Sequence, residues 1–199
     1  MDSATVPMSD DRIRAAVRAS AQTIAALNEQ VGLIADACHL VTDALVAGHA
    51  VLTAGNGGSA AEALHMAEEL VGRFRGNRRS LPGIALVADS TALTCIGNDY
   101  GYDHVFERQI EGLGRQGDVL VLFSTSGNGA NLTLAIEAAR RKGMRVLSLL
   151  GRDGGPLAGL ADLDLIVPGV ATERIQEAHQ VLLHLILDAV EQAFPPESA

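Results

Sequence analysis

Tryptophan is absent from the 199 residues, and four Phe and two Tyr are the only large aromatics. A core of any size must therefore be aliphatic, built from Ala, Val, Leu and Ile. Cysteine is scarce too: Cys38 and Cys95 stand far apart and in no C-x-x-C pattern. That excludes a disulfide framework and a cysteine metal cage. It predicts two small buried hydrophobes in a reducing cytosol. Basic residues are outnumbered 15 to 24, for a net charge of −9. The basic footprint of a nucleic-acid binder is missing, so no nucleic-acid partner is expected. An anionic ligand must then be held by local donors rather than by the field of the whole chain. No apolar run reaches the roughly 20 residues that span a bilayer. Met1–Asp11 is polar and acidic, with no apolar leader core. The expectation is a cytoplasmic protein with no membrane partner.

What is present is 48% hydrophobic residues and 21 glycines, a composition that suits parallel strands covered by helices. Residues 1–10 read as a loose tail, 11–194 as one domain, and 195–199 as a second tail. Ile13, Val17, Ile24 and Leu27 place an amphipathic helix over 11–30. Ile34, Cys38, Val41 and Leu45 place another over 33–47, stopped by Gly48. These helices precede any strand and could pack on the sheet or pair with another subunit. Strands are predicted at 50–53, 84–87, 119–123, 145–150 and 163–167. Helices are predicted from Ser59 to about Arg73, at 90–96, at 105–113, up to Lys142 before Gly143, and from Glu173 to Phe194. Asn98–Gly101 reads as a turn. The apolar run Val119–Phe123 suits a central strand. The fold class is a three-layer α/β/α sandwich around a mainly parallel five-stranded sheet.

The unit strand, Gly/Ser loop, helix occurs twice, at 50–73 and 119–142. In such sheets ligands bind beyond the carboxyl ends of the strands. The second loop, Ser124-Thr125-Ser126-Gly127-Asn128-Gly129, offers three hydroxyls, an amide and helix N-terminal N–H groups. Those donors suit a phosphate monoester. It holds no Lys, so it is not a nucleotide P-loop. In the first loop, Gly55, Gly57 and Ala60 fit G-x-G-x-x-A. The ribose-binding acid of a dinucleotide site should follow about 20 residues on. Asp89, the nearest candidate, lies more than thirty after Gly55. A tight loop for sugar hydroxyls fits better.

Behind the first loop, His65 and Glu69 stand one helical turn apart. They can be two metal ligands, a ligand and a general base, or a plain polar pair on a helix face. Glu68 reads as a solvated neighbour. In the last helix Gln176, His179 and His184 recur among apolar residues. His184 is flanked by leucines, and burial there would keep its imidazole neutral. Gln176 and His184 are eight residues apart, ~12 Å on a straight helix. One ion with bonds of ~2 Å can hardly take both from one straight helix, so either the helix starts late or the two residues come from different subunits. A shared site is therefore expected at a subunit interface.

These motifs agree with one known family. The run Ala54–Glu69 with its continuation Leu70-Val71-Gly72-Arg73-Phe74 resembles the sugar isomerase (SIS) domain of phosphoheptose isomerases. So do Gly97-Asn98-Asp99-Tyr100-Gly101, Ser124–Asn128, Gly151-Arg152-Asp153-Gly154-Gly155 and Arg174-Ile175-Gln176-Glu177-Ala178-His179. The match runs in order from about residue 10 to 194. The resemblance implies an isomerase acting on D-sedoheptulose 7-phosphate, the first step toward activated heptose for surface polysaccharide. It implies a homotetramer and one zinc ion per subunit, with His65, Glu69, Gln176 and His184 as ligands. Asn56, Gly57, Gly58, Ser59, Glu69, Arg73, Asn98, Asp99, Ser124, Thr125, Ser126 and Gln176 would bind substrate, and Glu69 and His184 would be catalytic. One position departs: the family often has Ser where this chain has Gly129, so one phosphate contact is lost. Two rival readings share the fold: a SIS protein that binds the bacterial replication initiator, and a sugar-phosphate sensor. The presence of both Glu69 and His184 favours the enzyme. A sensor is commonly fused to a further domain, for which 199 residues leave no room.

Overall fold

A computed structural model describes residues 9–195. The expected tails at 1–10 and 195–199 lie outside these residues except for Ser9, Asp10 and Pro195. Ser9 caps helix α1 (Asp10–Ala25), its hydroxyl accepting from the Arg12 N–H at 3.3 Å. A short 3-10 turn leads into α2 (Val31–Val46). There follow β1 (Val51–Gly55), α3 (Gly58–Val71), β2 (Gly83–Ala85), α4 (Ser90–Asp99), α5 (Glu107–Leu113), β3 (Val119–Ser124), α6 (Ala130–Arg141), β4 (Arg145–Gly151), β5 (Leu163–Val167) and α7 (Thr172–Ala193).

The five strands form one parallel sheet in the order β2-β1-β3-β4-β5. Successive side chains of β3 alternate between its faces. Val119, Val121 and Phe123 join a core with residues of α2, α3 and α7. Leu120 and Leu122 join a second core with residues of α5 and α6. All six β3 residues are buried, which is why this strand reads as an unbroken apolar run. The expected three-layer architecture is therefore present.

The sheet order places the two Gly/Ser loops. The chain moves outward from β1 to β2, then crosses back to β3 and proceeds the other way. The reversal falls between β1 and β3, whose ends are in register at Gly55 and Phe123. The two Gly/Ser loops thus lie side by side at the topological switch point, where open α/β sheets leave a crevice.

Three local expectations are corrected. Asn98 and Asp99 are the last residues of α4 rather than a turn; the reversal comes one step later, at Gly101 with φ +91°. The Asp89 side chain caps α4 by accepting from the Thr91 and Ala92 N–H groups. Cys95 is exposed and Cys38 only half-buried. Finally, His184 is exposed in the chain, because the leucines beside it in sequence point to other faces of α7.

Candidate active site

The β1–α3 loop begins with Asn56, held in a fixed orientation. Its carboxamide exchanges two hydrogen bonds with that of Asn131, which is 2% exposed. The Tyr102 hydroxyl donates to Asn56 Oδ1 at 3.0 Å. Neither Asn131 nor Tyr102 is marked by any local pattern; both act on Asn56 across large sequence separations. Gly57, with φ +58°, takes the N-cap position of α3, and no side chain caps that helix. A Cβ on Gly58 would collide with the carboxamide of Gln176, so glycine lets α7 approach the loop. Ser59 is buried.

In the adjacent β3–α6 loop, Ser124 Oγ accepts from the Gly127 N–H at 3.1 Å and Ser126 Oγ accepts from the Asn128 N–H at 3.3 Å. Each hydroxyl oxygen is thus engaged by the loop's own backbone, which leaves its O–H proton free to donate elsewhere. Thr125 is half-buried between them. Gly127 has φ +59°, and a Cβ there would meet the Gly154 carbonyl. The loop after β4 packs directly against it, and the Leu157 N–H bonds to the Gly127 carbonyl. No side chain caps α6. Two uncapped helix N-termini with free hydroxyls make an anion cradle without a fixed positive charge.

The ionisable residues lie along the seam between α3 and α7. His65 Nδ1 is 3.0 Å from Gln180 Oε1, and His65 Nε2 is 3.3 Å from Glu69 Oε1. The His184 ring meets that of His65 edge-on at 5.3 Å and stacks on Phe74 at 5.7 Å. This partial covering, with lesser contributions from the neighbouring His65 and Arg75, holds the His184 imidazole below the ordinary histidine range; Glu69 opposes the shift. Neutral His184 can accept a proton or bind a metal.

These residues suit a metal ion. With Nδ1–H donated to Gln180, the Nε2 lone pair of His65 faces a carboxylate oxygen, and two acceptors so close call for a cation or a proton between them. Neighbouring ligands on a tetrahedral zinc ion sit about 3.3 Å apart at bonds of 2.0–2.1 Å. His65, Glu68 and Glu69 each offer one atom within 4.8 Å of the others. Glu68 is exposed, as a solvated neighbour would be, yet it belongs to this cluster.

His65, Glu69 and His184 therefore meet within one chain. Gln176 does not join them: it lies against Gly58, two helical turns before His184 on the same helix. Gln180, which is not among the residues expected from sequence, takes its place beside His65. Its spacing of four residues from both Gln176 and His184 is the signal that could have found it. Asn98 and Asp99 are exposed and bonded to each other at 2.7 Å. Arg73 is exposed past the end of α3 and makes no ion pair among the described residues.

Arg78 is a further residue that the sequence does not mark. Its buried guanidinium donates to the carbonyls of Glu69, Leu70 and Arg79 at 2.7, 3.0 and 2.9 Å. Its Nε faces Glu191 Oε2 at 3.4 Å. It thereby satisfies the last carbonyls of α3, including that of Glu69 itself, and ties them to α7.

Over most of its length the chain is similar to known proteins. Residues 14–151 match the family model for the SIS domain. A phosphoheptose isomerase of Geobacter sulfurreducens is 49% identical over 187 residues, covering 94% of this chain and 99% of its own. One from Enterobacter sp. strain 638 is 46% identical, covering 93% and 98%. Among solved structures, phosphoheptose isomerase GmhA from Neisseria gonorrhoeae superposes with a TM-score of 0.86 at 42% identity, over 92% of this chain and 98% of that one.

Proposed function

The chain belongs to the phosphoheptose isomerases of the SIS-domain family and is an aldose–ketose isomerase; we propose that Glu69 and His184 move the protons of its reaction. The reaction converts D-sedoheptulose 7-phosphate to D-glycero-D-manno-heptose 7-phosphate, at the start of heptose biosynthesis. The observation that carries the assignment is the meeting of Glu69 and His184 across His65 on the α3–α7 seam.

The phosphate sits at Ser124, Thr125 and Ser126, where hydroxyl and backbone donors replace a fixed cation. Asn56, Gly57, Gly58, Ser59 and Gln176 hold the sugar hydroxyls, with Arg73, Asn98 and Asp99 at the rim. A ketose becomes an aldose when a proton leaves C1 and another arrives at C2, through an enediol. Glu69 takes the proton from C1 and returns it to C2. His184, held neutral, exchanges a proton with the substrate oxygens. Zinc, one ion per subunit, would be held by His65, Glu69 and His184, with Gln176 supplied by a neighbouring subunit. When bound it supplies positive charge that polarises the substrate carbonyl.

That arrangement requires an oligomer, and a cytoplasmic homotetramer is the assembly proposed. Its support is apolar surface. Helix α1 buries none of its residues, and Ile13 and Val17 remain 48% and 63% exposed. Ile24, Leu27, Val31, Ile34 and Leu185 line an apolar groove beside it. Among the described residues no helix is long and apolar enough to cross a membrane.

The test is incubation of the purified chain with sedoheptulose 7-phosphate, with and without chelator, following the aldose product. Glu69→Gln should abolish turnover and leave the melting temperature close to wild type. Substantial turnover in that variant refutes the assignment of the base.

A further inference from the structure

One buried ionisable pair lies on the α3–α7 seam and takes no part in the proton transfers above. Glu62 is 3% exposed and His179 is 0% exposed. His179 Nε2 stands 3.1 Å from the Leu150 carbonyl, an acceptor only, so this nitrogen carries a hydrogen and donates. His179 Nδ1 stands 3.6 Å from Glu62 Oε2. Among the described residues neither Glu62 oxygen nor His179 Nδ1 has a hydrogen-bond partner within ordinary distance. A lone buried carboxylate is heavily disfavoured. Glu62 and His179 Nδ1 are each other's nearest polar partner on the seam. The Phe123 ring packs edge-on against His179 from β3 at 6.2 Å and fixes its depth.

The position of the pair gives it a consequence for the reaction. Contacts along the seam climb both helices in step. Gly58 meets Gln176, Glu62 meets His179, His65 meets Gln180 and His184, and Arg75 pairs with Asp188. Glu62 precedes Glu69 by two turns on the same face of α3. His179 precedes His184 on α7. The aliphatic contacts of this core are non-directional and tolerate sliding. A directed polar pair does not, and buried polar groups are best attested as devices that fix register. The other directed contacts on the seam, His65 with Gln180 and Arg78 with Glu191, lie further along it.

We propose that Glu62 and His179 are a positioning pair that sets the axial register of α7 on α3, and with it the separation of Glu69 and His184. The catalytic consequence rests on the assignment of those two residues as the proton-handling pair; the register itself does not.

Three variants at Glu62 test it. Glu62→Gln keeps the shape and can still donate to Nδ1, as a protonated Glu62 would. Glu62→Met keeps the volume and removes the polar contact. Glu62→Asp keeps the charge and withdraws it by one methylene, and serves if the Met variant does not fold. Crystal structures read the register directly. Glu62→Met or Glu62→Asp should move the His184 ring relative to Glu69 by about 1 Å, while Glu62→Gln superposes on wild type. In the isomerase assay the displaced variants should lose kcat by about tenfold or more with KM within about twofold, since reacting groups misplaced by 1 Å lose this much rate. A folded Glu62→Met with His184 in place overturns the proposal. So does a loss carried by KM, or a Glu62→Gln no better than Glu62→Met. A wild-type chain without isomerase activity would overturn the proposed function, while the crystal structures of the variants would still decide the register.

Discussion

Replacing Arg78 by Met removes a guanidinium whose side chain is 1% exposed. Three donated hydrogen bonds disappear, to the carbonyls of Glu69, Leu70 and Arg79. Each bond from a charged donor contributes about 1.5–3 kcal/mol net, but bonds made by one group do not add. The larger effect falls on the partner left behind. Glu191, 13% exposed, faces Arg78 Nε at 3.4 Å and would become a nearly buried charge without its cation. Breaking such a pair by removing one member is destabilising by about 3–5 kcal/mol. We take that range for the whole substitution, a large part of the about 5–15 kcal/mol typical of a domain. The assay is urea unfolding followed by circular dichroism, at one fixed protein concentration because the stability of the proposed oligomer would depend on it. Arg78→Met/Glu191→Gln should recover part of the loss, since no carboxylate is then stranded while Gly76 keeps its acceptor. A loss below about 1 kcal/mol in the single variant, or no recovery in the double, would refute the reasoning. Because Arg78 also holds the backbone of Glu69, the folded fraction of Arg78→Met should show reduced kcat.

Gly129 has an extended backbone (φ −175°) that any residue adopts, and a Cβ there would sit 3.0 Å from Asn131 Oδ1, a side-chain atom that can yield. Gly129→Ser should lower KM for the sugar phosphate by about tenfold, the value of one hydrogen bond to a charged group; an unchanged or higher KM would mean that the Asn56–Asn131 pair fills that space. In the metal-stripped protein, His184 has a folded pKa below its ordinary 6.5, so the unfolded chain takes up this proton first as pH falls. The stability it contributes is complete above about pH 6.5 and is lost as pH falls through the folded value. His184→Gln should flatten that part of the stability–pH curve, and an unaltered slope would contradict the assignment. Leu185→Glu places a charge on the apolar groove at a residue 43% exposed. Sedimentation should then reveal smaller species than wild type; an unchanged assembly would place the interface elsewhere.

Much of this is legible in the chain itself. Strands buried on both faces are largely apolar, so β3 and β4 stand out without reference to any other element. The loops are equally plain, because the carboxyl end of a parallel strand followed by a helix needs small and hydroxylated residues at fixed offsets. His65 and Glu69 are visible as a pair because helical geometry relates residues four apart. The sequence marks His184 but misleads about its surroundings. Its leucine neighbours in sequence lie on other faces of α7, and the ring instead stacks on Phe74.

What the chain alone could not reveal is which distant residues meet. Asn131 orients Asn56 from 75 residues away, and Gln180 reaches His65 from 115. Arg78 and Glu191 close the far end of the α3–α7 seam, and Glu62 and His179 share its interior. Apart from Gln180, which stands four residues from both Gln176 and His184, none of these belongs to a local pattern, because each partner is chosen by the order of strands in the sheet and the docking of α7 upon it. Local sequence determined the elements, the two Gly/Ser loops and the chemistry on offer. Tertiary structure decided how that chemistry is oriented, since a hydrogen bond depends on distance and direction in space and carries no signature of separation along the chain.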